Sequence, residues 1–133
     1  MRVRLKPVED QVIVITGASS GIGLATARMA ARRGARLVLA ARDGNALREV
    51  ETDIRRDGGQ AIFAVADVAD EDAMMGLAET ALREFGGFDT WVNNAGTSIY
   101  GKVEDTPMED QRRLFETNYW GTVIGSRIAA THL

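Results

Sequence analysis

The stretch Thr16-Gly17-Ala18-Ser19-Ser20-Gly21-Ile22-Gly23 directly follows the apolar run Val12-Ile13-Val14-Ile15 and leads into a helical pattern. A helix N-terminus offers unpaired backbone N–H groups and a partial positive charge, which suits a phosphate. Glycines at such a turn let the backbone approach a diphosphate and let helix and strand pack closely. Ser19 and Ser20 add hydroxyl donors and a means of capping the helix. The spacing is Gly-x-x-x-Gly-x-Gly rather than Gly-x-Gly-x-x-Gly, and no Lys-Ser/Thr pair follows, which disfavours a phosphate-loop kinase or ATPase.

Three further clusters fall at strand ends. About 20 residues past the glycines, where a dinucleotide fold meets the adenosine ribose, stand Ala41-Arg42-Asp43. A guanidinium pairs bidentately with a phosphate, so Arg42 points to NADP over NAD. Asp43 either faces the ribose or starts the next turn. Asp67-Val68 ends a third apolar run, where Asp also serves as an ordinary turn residue. Asn93-Asn94-Ala95-Gly96 ends a fourth, at the carboxyl edge where open α/β sheets bind ligands, though it also reads as a plain turn.

The elements that must position these clusters alternate in type. Strands are expected at 11–16, 36–41, 61–66 and 90–93, and helices at 22–33, 45–57 and 70–85. Gly34, Gly58-Gly59 and Gly86-Gly87 act as helix stops. The first helix is expected to gather Ile22, Ala25 and Met29 on one face. After a loop to Thr106, Pro107 opens a helical stretch running almost to the end. Unbroken apolar strands fit a parallel sheet covered on both faces. Repeated β-α units make the fold class α/β, a doubly wound parallel sheet of Rossmann type.

Taken together, these motifs resemble the short-chain dehydrogenase/reductase family over nearly the whole chain, from Gln11 to Leu133. The resemblance implies a cofactor site of Gly17, Ser19, Ser20, Gly21, Ile22, Gly23, Arg42, Asp67, Val68, Asn94, Ala95 and Gly96. It implies that Asp67 meets the adenine amino group and that Val68 packs on the ring. It also implies that Asn94 braces the central sheet, and that Ala95 and Gly96 leave room for sugar and nicotinamide. Ala41 stands where the family's NAD-selecting members carry an acid.

The family transfers a hydride between nicotinamide and a carbonyl or alcohol, using a Tyr-x-x-x-Lys pair, a serine and an asparagine. Asn118, within Asn118-Tyr119-Trp120-Gly121, corresponds to that asparagine; alternatively it is a helix residue bonding to nearby backbone. The only lysines are Lys6 and Lys102, and four residues after Tyr100 and Tyr119 stand Glu104 and Val123, so no Tyr-x-x-x-Lys occurs. The expectation is therefore that residues 1–133 form the NAD(P)-binding part of a larger catalytic domain, inert by itself. The rival is a non-catalytic dinucleotide-binding module or pseudoenzyme.

Only four strands are visible where such sheets have about six. The fourth, with Trp91-Val92, would lie at an edge although it looks buried. The last helical stretch carries Leu114, Phe115, Ile124 and Ile128, with Gly121 and Gly125 one turn apart where a second helix could approach; the resemblance implies that it joins an interface between subunits of a homo-oligomer, the alternative being packing on the chain's own sheet. His132, Trp91 and Trp120 read as structural. In the 133 residues, 16 basic and 19 acidic side chains give a net charge of -3 without a basic stripe, which argues against nucleic acid or anionic membrane as partner. Without cysteine there is no disulfide or thiolate metal site. The basic start lacks the apolar run of a signal peptide, and no stretch reaches about 18 apolar residues, so the expected location is cytoplasmic.

Overall fold

The computed structural model describes residues 5–133, so the first four residues of the basic start lie outside the described residues. Four strands form one parallel sheet in the order β3-β2-β1-β4, comprising β1 (Val12–Thr16), β2 (Arg36–Ala41), β3 (Gln60–Val65) and β4 (Thr90–Val92). Crossovers run through α1 (Gly21–Arg32), α2 (Gly44–Arg56) and α3 (Glu71–Phe85). After β4 a loop with one 3-10 turn (Val103–Asp105) leads to α4 (Met108–Phe115), a π-helical segment (Glu116–Trp120) and α5 (Gly121–Ala130). The doubly wound α/β arrangement expected from the strand pattern is the one observed.

Each strand supplies residues to both faces. Val12 and Val14 join Leu77, Ala78 and Met74 of α3 on one side. Ile13 and Ile15 join Ala27 and Ala30 of α1 and Leu47 and Val50 of α2 on the other. Ile15, Leu37, Leu39, Leu47 and Leu77 are wholly buried, each stabilising the fold by about 1.5–3 kcal/mol relative to exposure. Polar ties fix the register at both ends of β1. At its start, Asp89 accepts from the Val12 amide at 2.8 Å and from Lys6 at 3.1 Å. At its end, the buried Thr16 hydroxyl donates to the Val92 carbonyl and accepts from the amides of Asn94 and Ala95.

Four expectations are corrected. The buried face of α1 is Gly23, Ala27 and Ala30; Ile22 and Met29 are exposed. Small residues face the sheet because α1 leaves a tight turn and crosses close to it, leaving no room for larger side chains. Gly121 and Gly125 turn inward rather than toward a second helix. A Cβ on Gly121 would stand 2.5 Å from Val68 Cγ2, and one on Gly125 would stand 2.2 Å from Asn93 Oδ1. Trp120 is half exposed and stacks edge-on against Tyr119, whereas Trp91 is half buried beside Phe88. β4 does lie at the sheet edge, and Trp91 and Val92 are only partly covered there. Among the described residues, no helix is long and apolar enough to cross a membrane.

Candidate cofactor site

Because β1 and β4 are neighbours, the glycine turn and the Asn-Ala-Gly turn emerge side by side at the carboxyl edge of the sheet. The Asn94 side-chain amide donates to the carbonyls of Thr16 and Gly17 at 3.1 and 3.2 Å, so one side chain braces both turns. Gly17 has φ +66°, and a Cβ there would stand 2.8 Å from Ala95 Cα, so the position requires glycine twice over. Gly23 lies beneath the turn, where a Cβ would stand 2.2 Å from the Gly17 carbonyl oxygen. A Cβ on Gly21 would instead meet no protein atom within 4 Å.

A cleft of about 880 Å³ opens above these turns, within the range of small-molecule and cofactor sites. Gly17, Ser19, Ser20, Gly21 and Ile22 line it, as do Arg42, Asp67, Val68, Asn94, Ala95 and Gly96. Gly23 is packed behind the lining and Asn118 sits beyond it. Asn118, in the π-helical segment, accepts from the Thr97 amide and donates to the Thr97 carbonyl, both at 2.8 Å. It thereby fastens the post-β4 loop, whose Thr97 is part of the cleft wall. Such π segments recur at functional sites because the extra residue redirects side chains.

The donor set fits a nucleotide diphosphate. Ser20 occupies the N-cap position of α1 but makes no side-chain cap bond, contrary to the expectation that the serines cap the helix. The first amide to bond back is that of Leu24, to the Ser20 carbonyl at 3.1 Å. The amides ahead of it belong to the first turn, which has no intrahelical partners, and their dipole favours an anion. Asp43 behaves as a turn starter: it is the N-cap of α2 and its Oδ1 accepts from the Ala46 amide at 3.0 Å. Arg42 beside it is exposed on the cleft and, among the described residues, enters no ion pair.

Asp67 ends up between opposing influences. Burial pushes its carboxyl up, but hydrogen bonds from the Arg113 guanidinium and the Ala69 amide, with the charges of Arg113 and Arg42, hold it below the ordinary value. Arg113, from α4, is a residue the sequence reading missed; nothing local connects it to a carboxylate 46 positions earlier.

Comparison with known proteins gives one consistent family. The family model described as short chain dehydrogenase matches residues 11–133. An uncharacterized oxidoreductase of Bacillus subtilis, YxnA, is 53% identical over 131 residues, spanning 98% of this chain and 37% of that protein. The 11-beta-hydroxysteroid dehydrogenase A of Arachis hypogaea is 41% identical over 95% of this chain and 37% of its own length. Among solved structures, a short chain dehydrogenase/reductase from Burkholderia phymatum in complex with NAD superimposes with a TM-score of 0.93 at 33% identity. It spans 97% of this chain and 46% of that one. L-sorbose reductase from Gluconobacter frateurii, complexed with NADPH and L-sorbose, gives a TM-score of 0.85 at 34% identity, over 91% of this chain and 46% of that one. The chain thus spans about half or less of the length of the relatives it matches.

Proposed function

This chain belongs to the short-chain dehydrogenase family, and on that premise we propose that its cleft holds a nicotinamide dinucleotide, NADP in preference to NAD. One observation carries the preference: Arg42 lines the cleft with no ion-pair partner among the described residues, while the neighbouring acid, Asp43, is engaged in capping α2. An acid free to accept from a ribose 2′-hydroxyl would favour NAD; an arginine accommodates a 2′-phosphate.

In this reading the first turn of α1 and the hydroxyls of Ser19 and Ser20 receive the diphosphate. Arg42 meets the 2′-phosphate, Asp67 and Val68 border the adenine, and Ala95 and Gly96 leave space toward the nicotinamide. The bound cofactor supplies or accepts the hydride exchanged with a carbonyl or alcohol carbon. The side chain of Asn118 holds the loop at Thr97, and as the counterpart of the family's catalytic asparagine the residue would help order the proton-relay water. The sequence contains no Tyr-x-x-x-Lys, so the chain by itself provides no acid of the family's kind and is expected to bind cofactor without turnover. The exposed Phe115, Tyr119 and Trp120 favour a homo-oligomer formed through the helical stretch that runs from α4 through the π segment into α5.

The test is calorimetric titration with NADPH and NADH, repeated on Arg42→Ala. A preference for NADPH that disappears in the variant supports the proposal. Equal affinity for both cofactors, or NADPH binding indifferent to the substitution, refutes it.

A further inference from the structure

Asp67 poses an electrostatic problem for a site that selects a 2′-phosphate. Its carboxylate lines the same cleft as Arg42, and the two are close enough for the Arg42 charge to bear on it. Left alone, that carboxylate would draw Arg42 into an ion pair and repel an incoming phosphate dianion. Both effects oppose the proposed NADP preference.

The fold supplies a counter-charge from elsewhere. Arg113 reaches from α4 and donates through Nη2 to Asp67 Oδ2, while the Ala69 amide fills Oδ1 at 3.0 Å. The Arg113–Asp67 contact is an ion pair as well as a hydrogen bond, with both side chains partly shielded from water. We infer that Arg113 is a specificity-determining residue: by pairing with Asp67 it leaves Arg42 free to meet the 2′-phosphate. This inference rests on the reading of Arg42 given above. Arg113 acts through Asp67 and is a positioning residue.

The adenosine half of the cofactor suffices for the test. Binding of 2′,5′-ADP and of ADP, which lacks the 2′-phosphate, is measured by calorimetry on the wild type, Arg42→Ala, Arg113→Gln, Arg113→Lys, Asp67→Asn and the Asp67→Asn/Arg113→Gln double variant. Arg113→Gln should weaken 2′,5′-ADP binding about fivefold, the upper range for a partly exposed ion pair, and ADP binding less than about twofold. Arg113→Lys should keep most of the preference. In the Asp67→Asn background, Arg113→Gln should change the ratio of the two affinities no further, because no carboxylate remains to neutralise.

Failure separates cleanly. A wild type that does not prefer 2′,5′-ADP, or an Arg42→Ala variant that keeps the preference, overturns the NADP reading and the inference with it. A preference lost in Arg42→Ala but intact in Arg113→Gln overturns the inference alone. An Arg113→Gln effect that persists in the Asp67→Asn background means that Arg113 acts directly on the phosphate, which also overturns it. Should Arg113→Gln unfold, Asp67→Asn decides: its ratio must remain at least that of the wild type.

Discussion

Replacing Gly23 with alanine probes how tightly α1 is set against the turn that precedes it. The new Cβ would lie 2.2 Å from the Gly17 carbonyl oxygen and 2.5 Å from Asn94 Nδ2, both parts of the brace joining β1 to β4. An ordinary carbon–oxygen contact needs about 1 Å more, so either α1 lifts from the sheet or the Gly17 turn gives way. Overpacking of this kind costs roughly 1–3 kcal/mol, and alanine's better helix propensity returns up to about 1 kcal/mol. The expected net loss is about 1–2 kcal/mol, or a fall of roughly 4–8 °C in Tm for a domain of this size. Gly21→Ala is the control. It has φ +55° but open space around its Cβ, so it loses about 1–2 kcal/mol through backbone strain alone. NADPH binding should suffer in both variants. Circular dichroism melts at 222 nm with and without NADPH supply the readout. A Gly23→Ala chain that melts at or above the wild type and binds NADPH normally would refute the reasoning.

Three other outcomes follow from the same geometry. Asp43→Ala should destabilise the chain by about 1 kcal/mol through loss of the α2 cap, yet leave the NADPH/NADH affinity ratio unchanged; a shift in that ratio would show that Asp43 faces the ribose. Burial pushes the Asp89 carboxyl up, but the Val12 amide and the charges of Lys6 and Arg36 hold it below its ordinary value of 3.8. Its folded pKa is therefore the depressed one, and its stabilisation is present above the unfolded pKa and lost as pH falls through the folded pKa. Denaturant titrations should show wild type and Asp89→Asn separated by up to about 1 kcal/mol at pH 6 and converging as pH falls from the ordinary carboxylate value of 3.8 through the lower folded pKa; a gap independent of pH would contradict this. Trp120→Ala, at a half-exposed site, should change stability by no more than about 0.5 kcal/mol while reducing self-association in sedimentation velocity, and a large loss of stability would mean that Trp120 belongs to the core.

The parts of the fold legible in the sequence are those that local chemistry dictates. β1 announces itself as an apolar β-branched run and β2 as an apolar one, one of the two readings of Asp43 starts the turn into the helix it precedes, and Gly34, Gly58 and Gly86 follow helix ends. The clustering of the glycine turn, Asp67 and Asn94 at one cleft followed from the β-α alternation, since parallel strands bring their carboxyl ends to the same edge. What stayed hidden depends on distant neighbours. The apolar pattern Ile22, Ala25, Met29 looked like a core face, but the approach of α1 to Gly17 selects the small face instead. Gly121 and Gly125 carry no sign in sequence that their partners are Val68 and Asn93. The π segment around Asn118 and the reach of Arg113 to Asp67 likewise arise from packing across the fold.

The central claim is that the cleft above β1 and β4 is the dinucleotide site. The most direct measurement is an amide chemical-shift titration with NADPH. The account predicts that the largest shifts fall on Gly17, Gly21, Ile22, Arg42, Asp67 and Ala95. Shifts concentrated instead along the α3–α5 groove, at Arg127, Ile128 and His132, would contradict it.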